Sequence, residues 1–243
     1  MKKYTNKLLT IVTVTYNCQN TIAKTFESIK SAKDLVKDSI EYIVIDGDST
    51  DQTVNIITDY SLIIDGLLIE KDTGIYNAMN KGVRKASGDW LLFLNDGDLL
   101  LDVAGLISLL LTVNNSFGAV SFPVNLSNGK QFIPEFNWKL KLHNTLHHQG
   151  TCYRRNSFIK YNESYKIFSD FDLNQTYLKK QTKVLIGSNV HTFHSLDGAS
   201  NRKSSIKELF KIINTNYGVL FLIASYLRFK IVGVKCRIKR LFS

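Results

Sequence analysis

The chain has little proline and little cysteine, and its apolar C-terminal segment is short. Two prolines and three cysteines among 243 residues exclude a linker-rich or disulfide-dense scaffold. Cys18, Cys152 and Cys236 are far apart and match neither a metal-binding spacing nor a disulfide framework. The apolar segment from Tyr217 to Leu227 is too short to cross a bilayer. These features predict a cytoplasmic protein with one globular domain and a short extension.

Acidic charge is nearly absent from the end of the chain. From Arg202 onward the only acidic residue is Glu208, so nearly all of the net charge of +10 lies there. A nucleic-acid groove would need basic residues on the core, and we therefore expect no nucleic-acid partner. Basic residues interleaved with apolar ones predict that residues 201–243 form an amphipathic extension on an anionic membrane surface. A helix packed on the domain with a solvated basic side is the alternative.

Strand-like and helix-like segments alternate along the first half of the chain. Four short runs rich in β-branched and other apolar residues predict strands: Leu8 to Thr15, Ile40 to Ile45, Leu67 to Glu70 and Trp90 to Leu94. Helical spacing follows each of the first three. This order predicts an α/β fold with a mostly parallel, doubly wound, Rossmann-like sheet. In the second half, strand-like pieces at Gly118 to Val124, Thr151 to Arg154 and Lys183 to Ile186 predict an extension of that sheet.

Polar residues follow each of the four strands at the point where it ends. They are Thr15-Tyr16-Asn17, Asp46-Gly47-Asp48, Glu70-Lys71-Asp72 and Asn95-Asp96-Gly97-Asp98. Because ligands of open α/β sheets bind beyond the carboxyl ends of the strands, we expect these segments to lie side by side as one binding edge. They are called the strand-end rim below.

The acidic turn Asp96-Gly97-Asp98 is a candidate metal site. Two carboxylates one residue apart at a strand end can turn toward one hard divalent cation, and such ligands favour Mg²⁺ or Mn²⁺. Asn, Asp and Gly are also common in ordinary β-turns. The position on the strand-end rim favours the metal interpretation.

Six stretches in this order and spacing resemble family 2 glycosyltransferases of the GT-A fold, over roughly residues 7 to 200. They are TVTYN at 13–17, IDGDSTDQT at 45–53, EKDTGIYNAMNKG at 70–82, GDWLLFLNDGD at 88–98, HHQGTCYRR at 147–155 and SDFDL at 169–173. The sequence looks closest to members that build bacterial cell-surface polysaccharides. The resemblance implies a domain over residues 1–200, with a nucleotide-sugar half to about residue 100 and an acceptor half from about 101 to 200. A C-terminal helical extension follows.

The resemblance also implies roles for single residues around the donor. Thr15 and Tyr16 would line the base and ribose pocket, although Tyr16 is equally consistent with packing at the sheet edge. Asp46 would read the base or ribose. The family often has two adjacent acids there, so Asp48 is the other candidate. The residues implied to shape the donor site are Asp72, Asn80 and Asp96. Those implied to bind the metal are Asp96 and Asp98.

On the acceptor side, the resemblance makes Asp170 the general base. Family members frequently have Glu where this chain has Ser169, and Ser169 or Asp170 as a helix cap is the competing interpretation. His148 and Gln149 are placed near the acceptor or diphosphate, and so is His194. Either His191 or His194 is a candidate to complete a metal shell, and a structural role is the alternative for both. His143 and His147 are spaced to share a helical face, without a third ligand nearby.

These residues predict an inverting, metal-dependent glycosyltransferase acting on a UDP-sugar. The expected acceptor is a hydroxyl of a glycan or a lipid-linked molecule. Two alternatives stay open: a sugar nucleotidyltransferase, and a membrane-surface binding protein with a degenerate transferase fold. Against a nucleotidyltransferase, this sequence has no glycine-rich basic loop after the first strand, which binding of a triphosphate would require. The second does not explain why Asp96, Asp98 and Asp170 are all present.

Overall fold

Short runs of β-branched and aromatic residues form the strands. The computed structural model describes residues 7–196 and 205–241. The strands within those residues are β1 (Leu9–Thr15), β2 (Ile40–Asp46), β3 (Gly66–Ile69), β4 (Trp90–Phe93), β5 (Leu99–Leu100), β6 (Phe117–Ser121), β7 (Val124–Leu126), β8 (Gln131–Phe132), β9 (Thr151–Arg154), β10 (Lys183–Ile186) and β11 (Thr192–His194). The four strands predicted in the first half are present within one or two residues of their expected ends.

Helices connect the strands and follow the segments of helical spacing. They are α1 (Ile22–Val36), α2 (Thr53–Asp59), α3 (Ile75–Lys85), α4 (Val103–Thr112), α5 (Ser169–Lys179), α6 (Ser205–Tyr217) and α7 (Val219–Leu241). Side chains of β1 alternate between two cores, as the twofold period of a strand requires. Leu9 and Ile11 pack with α1 and α4 on one face of the sheet. Val12 and Val14 pack with α3 and α5 on the other face, so the sheet is doubly wound.

The main sheet has the strand order β10-β6-β9-β4-β1-β2-β3. β9 runs antiparallel to β4 and β6, and the other neighbours are parallel. The predicted mostly parallel sheet, extended by strands of the second half, is therefore confirmed. The smaller sheet has the order β5-β11-β7-β8.

The prediction of one strand-like piece from Gly118 to Val124 was wrong. β6 ends at Ser121, and β7 starts at Val124 in the smaller sheet, where it pairs with β11. Pro123 lies between them. Since proline has no backbone N–H, it cannot donate to a strand ladder, and the chain leaves the main sheet at this point.

The C-terminal extension is helical, as predicted, but it is not one continuous segment. Gly218 adopts a positive φ of 82° and separates α6 from α7, so the apolar stretch Tyr217 to Leu227 is divided. α6 is part of the folded domain, because its Ile212 and Ile213 are buried in a cluster with Leu140 and Phe171. Among the helices of the described residues, none is both long and apolar enough to cross a membrane.

Candidate active site

The strand order brings the strand-end rim together as predicted. β4, β1, β2 and β3 are consecutive neighbours and run parallel, so their carboxyl ends lie on one side. Thr15 Oγ1 donates a hydrogen bond of 2.7 Å to Asp46 Oδ2. Gly47 N–H donates to the carbonyl of Thr15 at 2.9 Å. These bonds join the ends of β1 and β2 directly.

Tyr16, Gly47 and Asp72 lie close together on the strand-end rim. A Cβ atom added to Gly47 would lie 2.6 Å from Asp72 Oδ2 and 3.2 Å from Tyr16 Cδ2. The absence of a side chain at Gly47 therefore allows Asp72 and Tyr16 to pack closely against the backbone at the end of β2. Tyr16 is 62% exposed, so its ring is available to a ligand and is not packed under the sheet edge. Sequence reasoning missed Gly47, although its position between two acids in a binding loop was a signal.

Asp46 is fully buried, and its carboxylate is used by the protein. Besides the bond from Thr15, it accepts hydrogen bonds from Ser49 N at 2.8 Å and Ser49 Oγ at 2.7 Å. Asp48 is exposed and has a positive φ of 67°. The structure thus gives Asp46 the role of shaping the loop between Tyr16 and the start of α2, and it leaves the Asp48 carboxylate open to solvent.

Asn80, which is predicted to help to shape the donor site, is bound by a distant segment of the chain. Asn80 is buried, and its amide bonds to the segment 161–163: Nδ2 donates to Tyr161 O and Glu163 Oε1, and Oδ1 accepts from Tyr161 N. Those bonds use both ends of the amide, so Asn80 ties α3 to the segment that precedes α5. Residue spacing alone could not distinguish this clamp from a donor contact.

The acidic turn after β4 separates its two carboxylates. Asp96 Oδ2 accepts from Thr21 Oγ1 at 2.7 Å. Burial raises the pKa of Asp96, and the nearby negative charge of Asp98 raises it further, against the lowering effect of Thr21. Asp98 is 1% exposed and accepts from Asn95 N and Gln149 Nε2, both at 2.9 Å. A cation at this turn would oppose both effects that raise the pKa of Asp96, burial first and the charge of Asp98 second.

The donor set around Asp98 suits a divalent cation, although no metal cluster is preformed. Within residues 7–196 and 205–241, no three His, Cys, Asp or Glu side chains are grouped so as to hold a metal ion. In the same part of the chain, Asn95 Oδ1 and Gln149 Oε1 are buried without a hydrogen-bond donor. Carboxylate and amide oxygens together with an imidazole are ligands that Mn²⁺ and Mg²⁺ accept. The residues present therefore fit such an ion by their chemistry.

The structure separates the two candidate histidines. His194 Nδ1 lies 2.8 Å from Asp98 Oδ1 and 3.0 Å from Gln149 Nε2. His191 is buried, with Nδ1 3.0 Å from Asp102 Oδ2, and its ring packs edge-on against Phe122. His191 therefore links the start of α4 to β11, whereas His194 lies beside the acidic turn. Most of the predicted turn from Leu196 to Ser200 lies outside the described residues.

Asp170 lies in the first turn of α5, and its carboxylate is nearly enclosed. Oδ1 accepts from Tyr76 Oη at 3.2 Å, and Oδ2 lies 3.3 Å from His148 Nδ1 and 3.4 Å from Asn144 Nδ2. Burial alone would raise the pKa of Asp170, but the hydrogen bond and charge of His148 more than offset it and hold that pKa below its usual value. The carboxylate is therefore ionised at neutral pH.

The interpretation of Ser169 or Asp170 as a helix cap was wrong. The N-cap of α5 is Phe168, and no side chain caps it. Ser169 Oγ is buried, and within the described residues it has no hydrogen-bond partner. Asp172 accepts from Asn216 Nδ2 at 2.8 Å, so it faces α6 and not the site.

One imidazole connects the acidic turn to Asp170. His148 Nε2 lies 3.1 Å from Asn95 Nδ2, while its Nδ1 faces Asp170. Gln149 follows it and bonds Asp98. Of the three residues predicted on the acceptor side, Gln149 and His194 thus contact Asp98, whereas His148 contacts Asp170.

His143 and His147 do not share a helical face, because residues 143–147 are not helical. The ring of His147 lies instead against two other imidazoles, with centroid distances of 5.7 Å to His148 and 4.6 Å to His194. Burial and the charges of those two histidines lower the pKa of His147 to about 3. His147 is therefore neutral at physiological pH and acts as a packing element of the site.

A residue of the extension holds the segment that leads to Asp170. Glu208 of α6 accepts backbone N–H bonds from Lys166 at 2.8 Å, Ile167 at 2.8 Å and Phe168 at 2.7 Å. In the sequence, Glu208 is notable only as the single acidic residue of a basic segment. Its isolation among basic residues was the one signal of a specific role.

The sequence profile of the family "Glycosyl transferase family 2" matches residues 10–210 of the chain. The chain belongs to this family. A family 2 relative from Mycobacterium bovis, "PGL/p-HBAD biosynthesis glycosyltransferase", is 32% identical over 149 aligned residues, which cover 55% of this chain and 56% of the relative. The chain thus spans little more than half the length of the curated relatives it matches first.

Solved structures share the fold of this family 2 chain at low sequence identity. The Staphylococcus aureus protein TarS, residues 1–349 in complex with UDP-GlcNAc, has a TM-score of 0.69 and 16% identity, covering 86% of this chain and 66% of its own. Glucosyl-3-phosphoglycerate synthase from Mycobacterium tuberculosis, in complex with Mn²⁺, UDP and phosphoglyceric acid, has a TM-score of 0.65 and 14% identity, covering 88% and 79%. The fold expected from the sequence, GT-A, is therefore confirmed.

Proposed function

We propose that the chain is an inverting glycosyltransferase that moves a sugar from a UDP-sugar to a hydroxyl of a glycan or lipid-linked acceptor in bacterial cell-surface polysaccharide biosynthesis. The observation that carries the proposal is the position of His148. It touches Asn95 beside the acidic turn at 3.1 Å and Asp170 at 3.3 Å. The imidazole of His148 thus contacts both Asn95, on the donor side, and Asp170, on the acceptor side.

The donor nucleotide is proposed to bind on the strand-end rim. The base would stack on the exposed ring of Tyr16, beside Gly47 and Asp72. The bond between Thr15 and Asp46 holds the ends of β1 and β2 together at this point. TarS binds UDP-GlcNAc and the mycobacterial synthase binds UDP, and these two neighbours favour UDP here. In this proposal residues 1–100 form the nucleotide-sugar half and residues 101–200 the acceptor half.

Asp170 is proposed to act as the general base. Inversion requires the acceptor oxygen to attack the sugar carbon from the face opposite the diphosphate. Asp170 takes the proton of the acceptor hydroxyl, the new carbon–oxygen bond forms, and the bond to the diphosphate breaks with its electron pair leaving on the phosphate oxygen. An ionised carboxylate suits this step, and His148 keeps Asp170 ionised and oriented.

Negative charge develops on the departing diphosphate. A bound Mn²⁺ or Mg²⁺ would supply positive charge there. Asp98 and His194 would hold the ion, because Asp98 Oδ1 and His194 Nδ1 lie 2.8 Å apart. Asp96, on the same turn, would be a further ligand. The mycobacterial synthase contains Mn²⁺ beside UDP, which supports a divalent ion in this chain.

The proposed setting is the cytoplasm, with peripheral attachment to the inner face of the cell membrane through the extension from residue 201 to 243. Two observations support it: Cys18 and Cys152 are buried free thiols, and nearly all of the net positive charge lies in the extension. An acceptor carried on a lipid would be available at that surface.

The test is donor binding measured by calorimetry with UDP-, GDP- and dTDP-sugars, each with and without Mn²⁺. Asp98→Asn is expected to lose the Mn²⁺-dependent part of binding, and Asp170→Asn is expected to bind the donor normally but to lose transfer. If a folded sample binds no nucleotide sugar, the proposal fails, and the membrane-surface binding protein becomes the better interpretation. Release of diphosphate from a nucleoside triphosphate would identify a nucleotidyltransferase instead.

A further inference from the structure

The outward face of α7 is apolar where a water-exposed helix would be polar. Five residues at helical spacing are each more than half exposed: Val219, Leu220, Ile223, Leu227 and Ile231. The spacing of three and four residues places them on one side of the helix. Within the part of the chain that the structure describes, nothing covers them. They are called the α7 apolar face below.

The opposite side of α7 is packed on the domain, so the helix has a defined orientation. Phe221 and Leu222 pack against the cluster that contains Leu140, Ile212 and Ile213. Ser225 is 4% exposed, and its Oγ donates to the carbonyl of Leu142 at 2.6 Å. These contacts fix which side of α7 faces outward.

Positive charge accompanies the α7 apolar face. Lys230 lies between Leu227 and Ile231 in the helix and places its Nζ over the ring of Tyr226. The sequence that continues α7 adds Lys235, Arg237, Lys239 and Arg240 and no acidic residue. An exposed apolar stripe with basic residues complements the headgroups and acyl boundary of an anionic bilayer. A protein partner of matching apolar shape would not need this excess of positive charge.

We infer that the α7 apolar face inserts into the surface of an anionic lipid bilayer and that this contact presents the acceptor half of the site to the membrane. α7 contacts Leu142, and Arg228 lies 3.1 Å from His143. The same segment then runs to His148, which touches Asp170. The surface follows from exposure and charge alone, whereas its role in presenting a lipid-linked acceptor rests on the proposed function.

The experiment is vesicle co-sedimentation of the full chain. Vesicles of phosphatidylcholine alone are compared with vesicles of phosphatidylcholine and phosphatidylglycerol in equal parts. Parent protein is expected to bind the anionic vesicles, more weakly at high salt because exposed charges are screened. Leu220→Gln with Leu227→Gln is expected to lower the affinity by about tenfold per site, since each loses an apolar side chain from the bilayer boundary. Lys230→Gln is expected to lower it about fivefold.

The matched control is Leu62→Gln, because Leu62 is 98% exposed on a turn elsewhere in the structure. It should bind vesicles as the parent does. Equal vesicle binding by the double variant and the parent would overturn the inference. Failure of the parent protein to bind anionic vesicles would also overturn it. A parent that is dimeric in light scattering and fails to bind vesicles would show that a second copy covers the face. Circular dichroism checks that each variant is folded. Vesicle binding by a folded parent that binds no nucleotide would refute the proposed function alone.

Discussion

Glu208 accepts the backbone N–H of Phe168 at 2.7 Å, and Phe168 is the residue directly before the helix that carries Asp170. The carboxylate of Glu208 also accepts the N–H groups of Lys166 and Ile167. One side chain of the C-terminal extension therefore holds three consecutive residues leading to the proposed base. The extension thus contributes to the site through α6, separately from the membrane contact proposed for α7.

Glu208→Ala is expected to lower the free energy of unfolding by about 2 to 4 kcal/mol, because three donors lose a charged acceptor and regain only water. We expect kcat to fall while the affinity for UDP stays near the parent value, since the strand-end rim is untouched. Denaturant titration and initial rates check both effects. Lys207→Ala, at the exposed neighbouring position, is the control. Unchanged kcat in Glu208→Ala would mean that Asp170 is positioned without it.

Gly47→Ala is expected to weaken UDP binding about tenfold or more with little loss of stability. The added Cβ would lie 2.6 Å from Asp72 Oδ2, and this contact displaces Asp72, a residue proposed to shape the donor site. A loss of about 1.4 kcal/mol corresponds to the tenfold change. Calorimetry with UDP measures it. Gly66→Ala is the control, because its new Cβ would make only ordinary contact with Ile43, at 3.4 Å.

His148→Gln is expected to move the acid limb of the kcat profile to higher pH. The hydrogen bond and charge of His148 hold the pKa of Asp170 down, so without them burial raises that pKa. Because the pKa of Asp170 is lower in the folded state than in the unfolded state, its ionised form stabilises the fold at pH values above the unfolded-state pKa. This stabilisation is lost as the pH falls through the folded-state pKa. Rates measured across the acid range at saturating Mn²⁺ check the shift. An acid limb that stays in place would show that another group titrates there.

His194→Gln is expected to raise the Mn²⁺ concentration needed for half-maximal UDP binding by about 10- to 100-fold. Its Nδ1 lies 2.8 Å from Asp98, the carboxylate proposed to hold the ion. His191→Gln should leave that concentration unchanged and lower the melting temperature, because His191 is buried between Asp102 and Phe122. Calorimetry across a Mn²⁺ series separates the two variants. Equal effects on the Mn²⁺ requirement would refute the assignment.

The sequence by itself determined the alternation of strands and helices and the strand-end rim. These features depend on local pattern: β-branched runs form strands, and parallel strands place their carboxyl ends together whatever the side-chain detail. The order of motifs was enough to identify the family, because spacing along the chain carries that information.

Only the tertiary structure decided the use of each polar side chain. Asn80 and His191 resemble site residues in sequence, yet their partners are distant segments, at residues 161–163 and at Asp102. His194 and Glu208 gain their roles from contacts across 96 and about 40 residues, with Asp98 and with the segment before α5. A hydrogen bond joins groups that folding brings within about 3 Å, and no local pattern encodes which distant groups those are.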